Sequence, residues 1–156
     1  MPKANFSRPI GLLVVLAAGL SLPLAAQTVF AARQGDFGIL IQKKDIGQVA
    51  TFYPYTVNGK PMEVFAVRAS DGTIRTALNT CQVCYASGRG YYKQEGGVFV
   101  CQNCGNRFVL DQIEKVKGGC NPVPILGGDK SDLGGSIGIS KAYLASVAPY
   151  FTRWKK

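Results

Sequence analysis

Two C-x-x-C pairs, Cys81 with Cys84 and Cys101 with Cys104, stand in a chain that contains no histidine. The pattern is C-x2-C-x16-C-x2-C. Four thiolates on two tight turns match a tetrahedral site for zinc or iron, and the gap lies within the spacing of two-knuckle, four-cysteine sites. The missing histidine excludes His-ligated haem, mixed His and Cys cluster ligation, and histidine acid–base catalysis. No C-x-x-C-H occurs, which excludes c-type haem attachment.

The second knuckle, Cys101-Gln102-Asn103-Cys104-Gly105, has glycine directly after its second cysteine. Glycine permits the sharp turn and leaves backbone N–H groups to point at thiolate sulfur. The first knuckle has Tyr85 in that place, with Ser87-Gly88-Arg89-Gly90 as the way out. Arg89 and Lys93 are candidates to offset the negative charge of four thiolates. Cys120, in Gly118-Gly119-Cys120-Asn121-Pro122, is a fifth cysteine. It is an additional candidate ligand, a resolving thiol or a buried residue, and its flanks place it in a tight loop rather than a core strand. Tyr91, Tyr92, Phe99 and Phe108 read as core packing. Three uses of the thiols stay open: a zinc ribbon in which metal is a staple, an iron or iron–sulfur electron-transfer centre, and a dithiol–disulfide pair.

At 47% hydrophobic and 17% charged, the 156 residues suffice for one packed domain and a short export segment. Lys3 and Arg8 precede an apolar stretch at 10–26, and Val29-Phe30-Ala31 offers a cleavage site, the layout of a secretory signal peptide over 1–31. The competing reading is an uncleaved membrane anchor at 10–32. Either way the domain is expected outside the cytoplasm, in the periplasm or on the membrane. No twin arginine is present, so export of an unfolded chain favours metal loading afterwards, with zinc, mononuclear iron or copper ahead of a preassembled cluster. The net charge of +9 becomes +7 without Lys3 and Arg8. Its basic residues are scattered, which speaks against nucleic acid and allows acidic partner proteins or anionic lipid.

After a linker at 32–36, a four-cysteine metal-binding β domain is expected at 37–156. Strands are predicted at 37–41, 50–57, 62–68 and 73–78, with Asn58-Gly59 as a hairpin turn. Short strands are predicted at 98–100, 107–110 and 137–139. Ser140 caps a predicted helix at 141–147, stopped by Pro149.

Together, Val64-Phe65-Ala66-Val67, Asp71-Gly72, the two knuckles, Gly90-Tyr91 and Gly118-Gly119-Cys120-Asn121-Pro122 resemble the FtrD-like membrane iron–sulfur protein domain, over roughly residues 37 to 140. The resemblance implies Cys81, Cys84, Cys101 and Cys104 as ligands of an iron–sulfur cluster, with mononuclear iron or zinc as the alternative, and Cys120 as a family-matching extra. It also implies an electron-transfer role in bacterial ferrous iron uptake, beside an iron permease complex and a periplasmic iron-binding or cupredoxin partner. A more distant likeness is to Rieske-type ferredoxins, with Cys84 and Cys104 where those domains use histidine. All-thiolate ligation lowers the potential. Asn79-Thr80 stands where many relatives carry an acidic residue, and a large multi-span membrane part is not expected here.

The expected fold is all-β, with Rieske-like or zinc-ribbon-like sheets carrying two Cys knuckles and a short C-terminal helix. The expected function is an exported electron-transfer protein rather than a stand-alone enzyme. The alternatives are a zinc-stapled adaptor docking to a membrane transporter, or a thiol–disulfide or copper-handling protein.

Overall fold

The computed structural model describes residues 35–156. The signal or anchor segment at 1–31 and the start of the linker lie outside the described residues. Among the described residues no helix is long and apolar enough to cross a membrane.

The described residues form ten strands and one short helix, in agreement with the all-β expectation. The strands are β1 (Phe37–Gln42), β2 (Thr51–Val57), β3 (Lys60–Arg68), β4 (Ile74–Cys81), β5 (Tyr92–Glu95), β6 (Val98–Cys101), β7 (Arg107–Val109), β8 (Pro122–Pro124), β9 (Lys130–Asp132) and β10 (Ser136–Ser140). The helix α1 is Lys141–Val147. Three sheets result, ordered β2-β3-β4-β8, β1-β10-β9 and β5-β6-β7.

Strand β3 explains the layering. Its Met62, Val64 and Ala66 pack in one core with Ile39, Ile41, Ile137, Ile139 and Leu144. The alternate residues Phe65 and Val67 pack in a second core with Tyr92, Phe99, Cys81, Cys84 and Cys101. Successive strand side chains point to opposite faces. A run that is apolar at both parities therefore belongs to a sheet covered on both sides. The β1-β10-β9 sheet and α1 cover one face, and the β5-β6-β7 sheet covers the other. The cysteines sit in this second core, where Phe65 stacks on Phe99 with ring centroids 4.4 Å apart. Such an aromatic pair contributes about 1 kcal/mol beyond area burial.

Local signals place several junctions. Asn58 and Gly59 both take positive φ, 49° and 75°, closing the β2–β3 hairpin between Val57 and Lys60. Ser140 Oγ accepts from the Tyr143 backbone N–H at 3.1 Å, capping α1. Pro149 does not end the chain's helical course; a 3-10 turn carries it on through Ala148–Phe151.

Strands β5, β8 and β9 have no counterpart among the predicted strands. The expected loop around Cys120 ends directly in β8, and β8 is Pro-Val-Pro. It lies at the edge of its sheet, the position where prolines lacking a ladder N–H are tolerated.

Candidate metal centre

Each knuckle hangs on the end of a strand. Cys81 closes β4 and Cys101 closes β6. In the first knuckle the Cys84 backbone N–H donates to Cys81 Sγ at 3.2 Å. The chain then makes a 3-10 turn through Tyr85–Ser87, with Ser87 Oγ donating to the Cys84 carbonyl at 2.7 Å. It returns so closely that a Cβ on Gly90 would fall against the Cys84 carbonyl and within 2.6 Å of Tyr85 Cα. Gly90 is what lets its carbonyl accept from the Cys81 N–H at 2.9 Å. In the second knuckle Gly105 has φ 76°, and its N–H donates to the Cys101 carbonyl at 2.9 Å rather than to sulfur.

The Sγ atoms of Cys81, Cys84, Cys101 and Cys120 all lie within 4.8 Å of one another. Cys81, Cys84 and Cys101 are buried and Cys120 is half-buried. Cys104 is exposed and outside that group, yet its Sγ lies 2.7 Å from Cys120 Sγ. Cys120 Sγ is also 3.3 Å from Cys81 Sγ and 3.7 Å from Cys84 Sγ. Thus all five cysteines meet, with Cys120 in the middle. All five are free thiols.

Strand pairing puts Cys120 there. Strand β8 runs antiparallel to β4, with Pro122 opposite Cys81. The residue two before Pro122 is then carried past the end of β4, to the sulfurs. The preceding loop is held by Glu114, which takes a positive φ of 67°. The Thr76 hydroxyl donates to Glu114 Oε1 at 2.8 Å, and Lys130 Nζ pairs with the same oxygen. Asn121 is buried and donates to the Val116 carbonyl at 2.6 Å. The Glu114–Lys130 pair and the Asn121 amide N–H bond hold the loop without leaving a charge uncompensated.

Tyr92 stands opposite Cys101 in the β5–β6 ladder, and its hydroxyl is 3.9 Å from Cys120 Sγ. Packing was expected of Tyr92, and it packs edge-on against Phe108, but its hydroxyl also faces sulfur. Asn79 is buried: its Oδ1 accepts from the Tyr92 N–H at 2.7 Å and its Nδ2 donates to Glu63 at 2.6 Å. The Trp154 indole N–H donates to the Asn79 carbonyl. Sequence reasoning noted Asn79 only as a departure from an acidic pattern and passed over Glu114 and Trp154. The available signal was a polar residue inside an apolar strand run.

Burial raises the Cys81 thiol, but hydrogen bonds from Tyr92, the Cys84 N–H and Cys120 outweigh it and hold the thiol below its ordinary value. Burial pushes Cys84 up to about 12. Burial, then its hydrogen bonds to Cys104 and Cys81, also raises Cys120. Burial acts upward on Cys104 too, but bonds from Cys120 and the Asn106 N–H outweigh it and lower that thiol. Protons therefore rest more firmly on Cys84 and Cys120 than on Cys81 and Cys104. Arg89 is exposed, and Lys93 lines a separate cleft of about 620 Å³ with Phe52, Glu63, Tyr91, Tyr92 and Lys155.

The donor set fits a thiophilic metal. A tetrahedron with metal–sulfur arms of about 2.3 Å has edges of roughly 3.8 Å, the scale on which the four sulfurs gather. The cysteines bind by losing protons, and backbone N–H···S bonds stabilise the anionic form.

No curated protein and no solved structure matches the chain. A family model does, that of the membrane iron–sulfur containing protein FtrD-like, over residues 43–151. That span includes all five cysteines and every strand but β1. The chain belongs to the FtrD-like family of membrane iron–sulfur containing proteins.

Proposed function

We propose that this chain is an exported or membrane-attached electron-transfer protein of a bacterial iron uptake system, with Cys81, Cys84, Cys101 and Cys120 holding its metal centre. The observation that carries the reading is the gathering of these four sulfurs within 4.8 Å in a member of an iron–sulfur family. A bound iron–thiolate centre supplies one-electron exchange. The protein's own residues do the rest. The Cys84 N–H and the Tyr92 hydroxyl donate to sulfur and hold negative charge there. Burial of Cys81, Cys84 and Cys101 limits water at the site, and both factors set a potential. Tyr92 joins the sulfurs to the aromatic cleft, where an iron permease subunit or a periplasmic iron-binding or cupredoxin partner has room to dock.

The test is anaerobic purification of the full chain, followed by iron, zinc and acid-labile sulfide analysis and visible spectra. Expected are iron and charge-transfer bands that bleach on reduction and return on oxidation. A colourless zinc protein would overturn the reading in favour of a stapled adaptor. Cell fractionation with mass analysis of the mature N-terminus tests export, with recovery in the cytoplasm as the contrary result.

A second reading concerns the centre itself. Sulfurs no more than 4.8 Å apart favour a single iron ion over a multinuclear cluster. Iron without acid-labile sulfide, at one ion per chain, is its expected signature.

A further inference from the structure

Five thiols converge where a tetrahedral centre needs four, and the surplus one is the most exposed of the five. Cys104 is exposed, whereas Cys81, Cys84 and Cys101 are buried. The Cys104 and Cys120 sulfurs are 2.7 Å apart, only about 0.7 Å beyond a covalent S–S bond. Cys120 is therefore shared. It belongs to the four-sulfur group and it touches the exposed thiol outside that group.

We propose that Cys104 and Cys120 form a thiol–disulfide exchange site for small-molecule disulfides, with Cys104 as the entry thiol and Cys120 as the resolving thiol. Exchange proceeds by thiolate attack on a disulfide sulfur and depends on access. Cys104 attacks one sulfur of R–S–S–R. A Cys104–S–S–R bond forms, the original S–S bond breaks, and the departing R–S⁻ takes up the proton that Cys104 gave away. Cys120 then attacks the Cys104 sulfur. The Cys104–Cys120 bond forms, the second R–S⁻ leaves, and it takes up the proton of Cys120. Two protein thiols are oxidised by two electrons, and one external disulfide is reduced to two thiols.

The knuckles themselves are poorer candidates. Cys81 and Cys84 are both buried, away from a dissolved disulfide, and the Cys84 N–H already donates to Cys81 Sγ. Cys101 is buried as well. Bonding to Cys104 also withdraws Cys120 from the four-sulfur group and leaves three. Oxidation of the pair then empties the centre, and this last consequence alone rests on the ligand set proposed above.

The test incubates the purified full chain with glutathione disulfide, alkylates the remaining thiols, and maps disulfides by peptide mass spectrometry. Released glutathione and bound metal are measured on the same samples. Expected are a Cys104–Cys120 disulfide, two glutathiones released per chain, and metal lost in step with the disulfide. In Cys120→Ser the reaction should stop with glutathione on Cys104 and one equivalent released. In Cys104→Ser, metal content should match the parent and thiol oxidation should slow at least tenfold. A disulfide mapped within either knuckle, or oxidation unslowed in Cys104→Ser, overturns the exchange site. Loss of metal from Cys104→Ser instead overturns the four-sulfur ligand set, while the map of the parent chain still decides the pair.

Discussion

Pro122 stands opposite Cys81 across the β4–β8 ladder. This one pairing joins the end of a long central strand to an edge strand of three residues. It places Cys120 over the first knuckle, 3.3 Å from Cys81 Sγ, although 38 residues of chain lie between the two cysteines. The four-sulfur group is thus assembled from three chain segments, of which the two knuckles are only two.

Cys101→Ser should lose the metal and destabilise the domain, because Cys101 is buried among the gathered sulfurs. Bound metal contributes on the order of 10 kcal/mol in small zinc-finger folds. Elemental analysis and thermal denaturation monitored by circular dichroism check both parts. A variant without metal that kept the parent melting temperature would show that the two apolar cores stand alone.

Gly90→Ala should destabilise the protein by about 2 kcal/mol or more, as expected for forced overpacking. The obstacle is backbone, the Cys84 carbonyl and Tyr85 Cα, so no rotamer change relieves it. Chemical denaturation is the measurement, and parent-like stability would mean that the knuckle has room to shift. Gly97→Ala, where an added Cβ meets nothing within 4 Å, is the control.

Glu114→Gln should cost about 3 kcal/mol, since it leaves the largely buried Lys130 ammonium without its anion. The loop from β7 to Cys120 hangs on this pair, so metal occupancy should fall as well. Lys130→Met with Glu114→Gln should recover part of the lost stability, because neither charge is then left uncompensated. If the single variant melts with the parent, the pair does not hold the loop.

Asp111→Asn should flatten the acid limb of the stability profile. The Asp111 carboxylate accepts from the Ser70 hydroxyl at 2.6 Å and from its N–H at 2.8 Å. These bonds hold its pKa below the usual 3.8. A folded pKa lowered in this way stabilises above the unfolded value, and the contribution disappears as pH falls through the folded value. Parent and variant melting temperatures should differ near neutrality and converge as the pH falls through the lowered folded value. A constant gap across that range would assign the effect of the substitution to something other than the charge.

The elements legible from sequence are those fixed by near neighbours. Asn58-Gly59 demands a two-residue turn because both residues tolerate positive φ. Ser140 caps α1 because its hydroxyl reaches an N–H three residues on. Two cysteines separated by two residues form a knuckle whatever surrounds them, so Cys81, Cys84, Cys101 and Cys104 stand out at sight. The apolar run in β3 likewise declares a strand buried on both faces.

Which sulfurs gather within the four-sulfur group was decided only in three dimensions. Local spacing singles out Cys104 and leaves Cys120 as an extra, but the fold leaves Cys104 exposed and brings Cys120 into contact with three other sulfurs. The deciding contacts are the β4–β8 register, the Glu114–Lys130 pair and the Asn79 bonds to Tyr92 and Trp154. Each joins residues distant in the chain. A strand such as Pro-Val-Pro or Lys-Ser-Asp is too short and too weakly patterned to announce its partner. Register across such strands is set by the packing of the whole sheet, since slipping by one residue would turn every side chain to the wrong face. The sequence by itself determined that thiols would be presented on two knuckles; the tertiary structure decided which of them would meet.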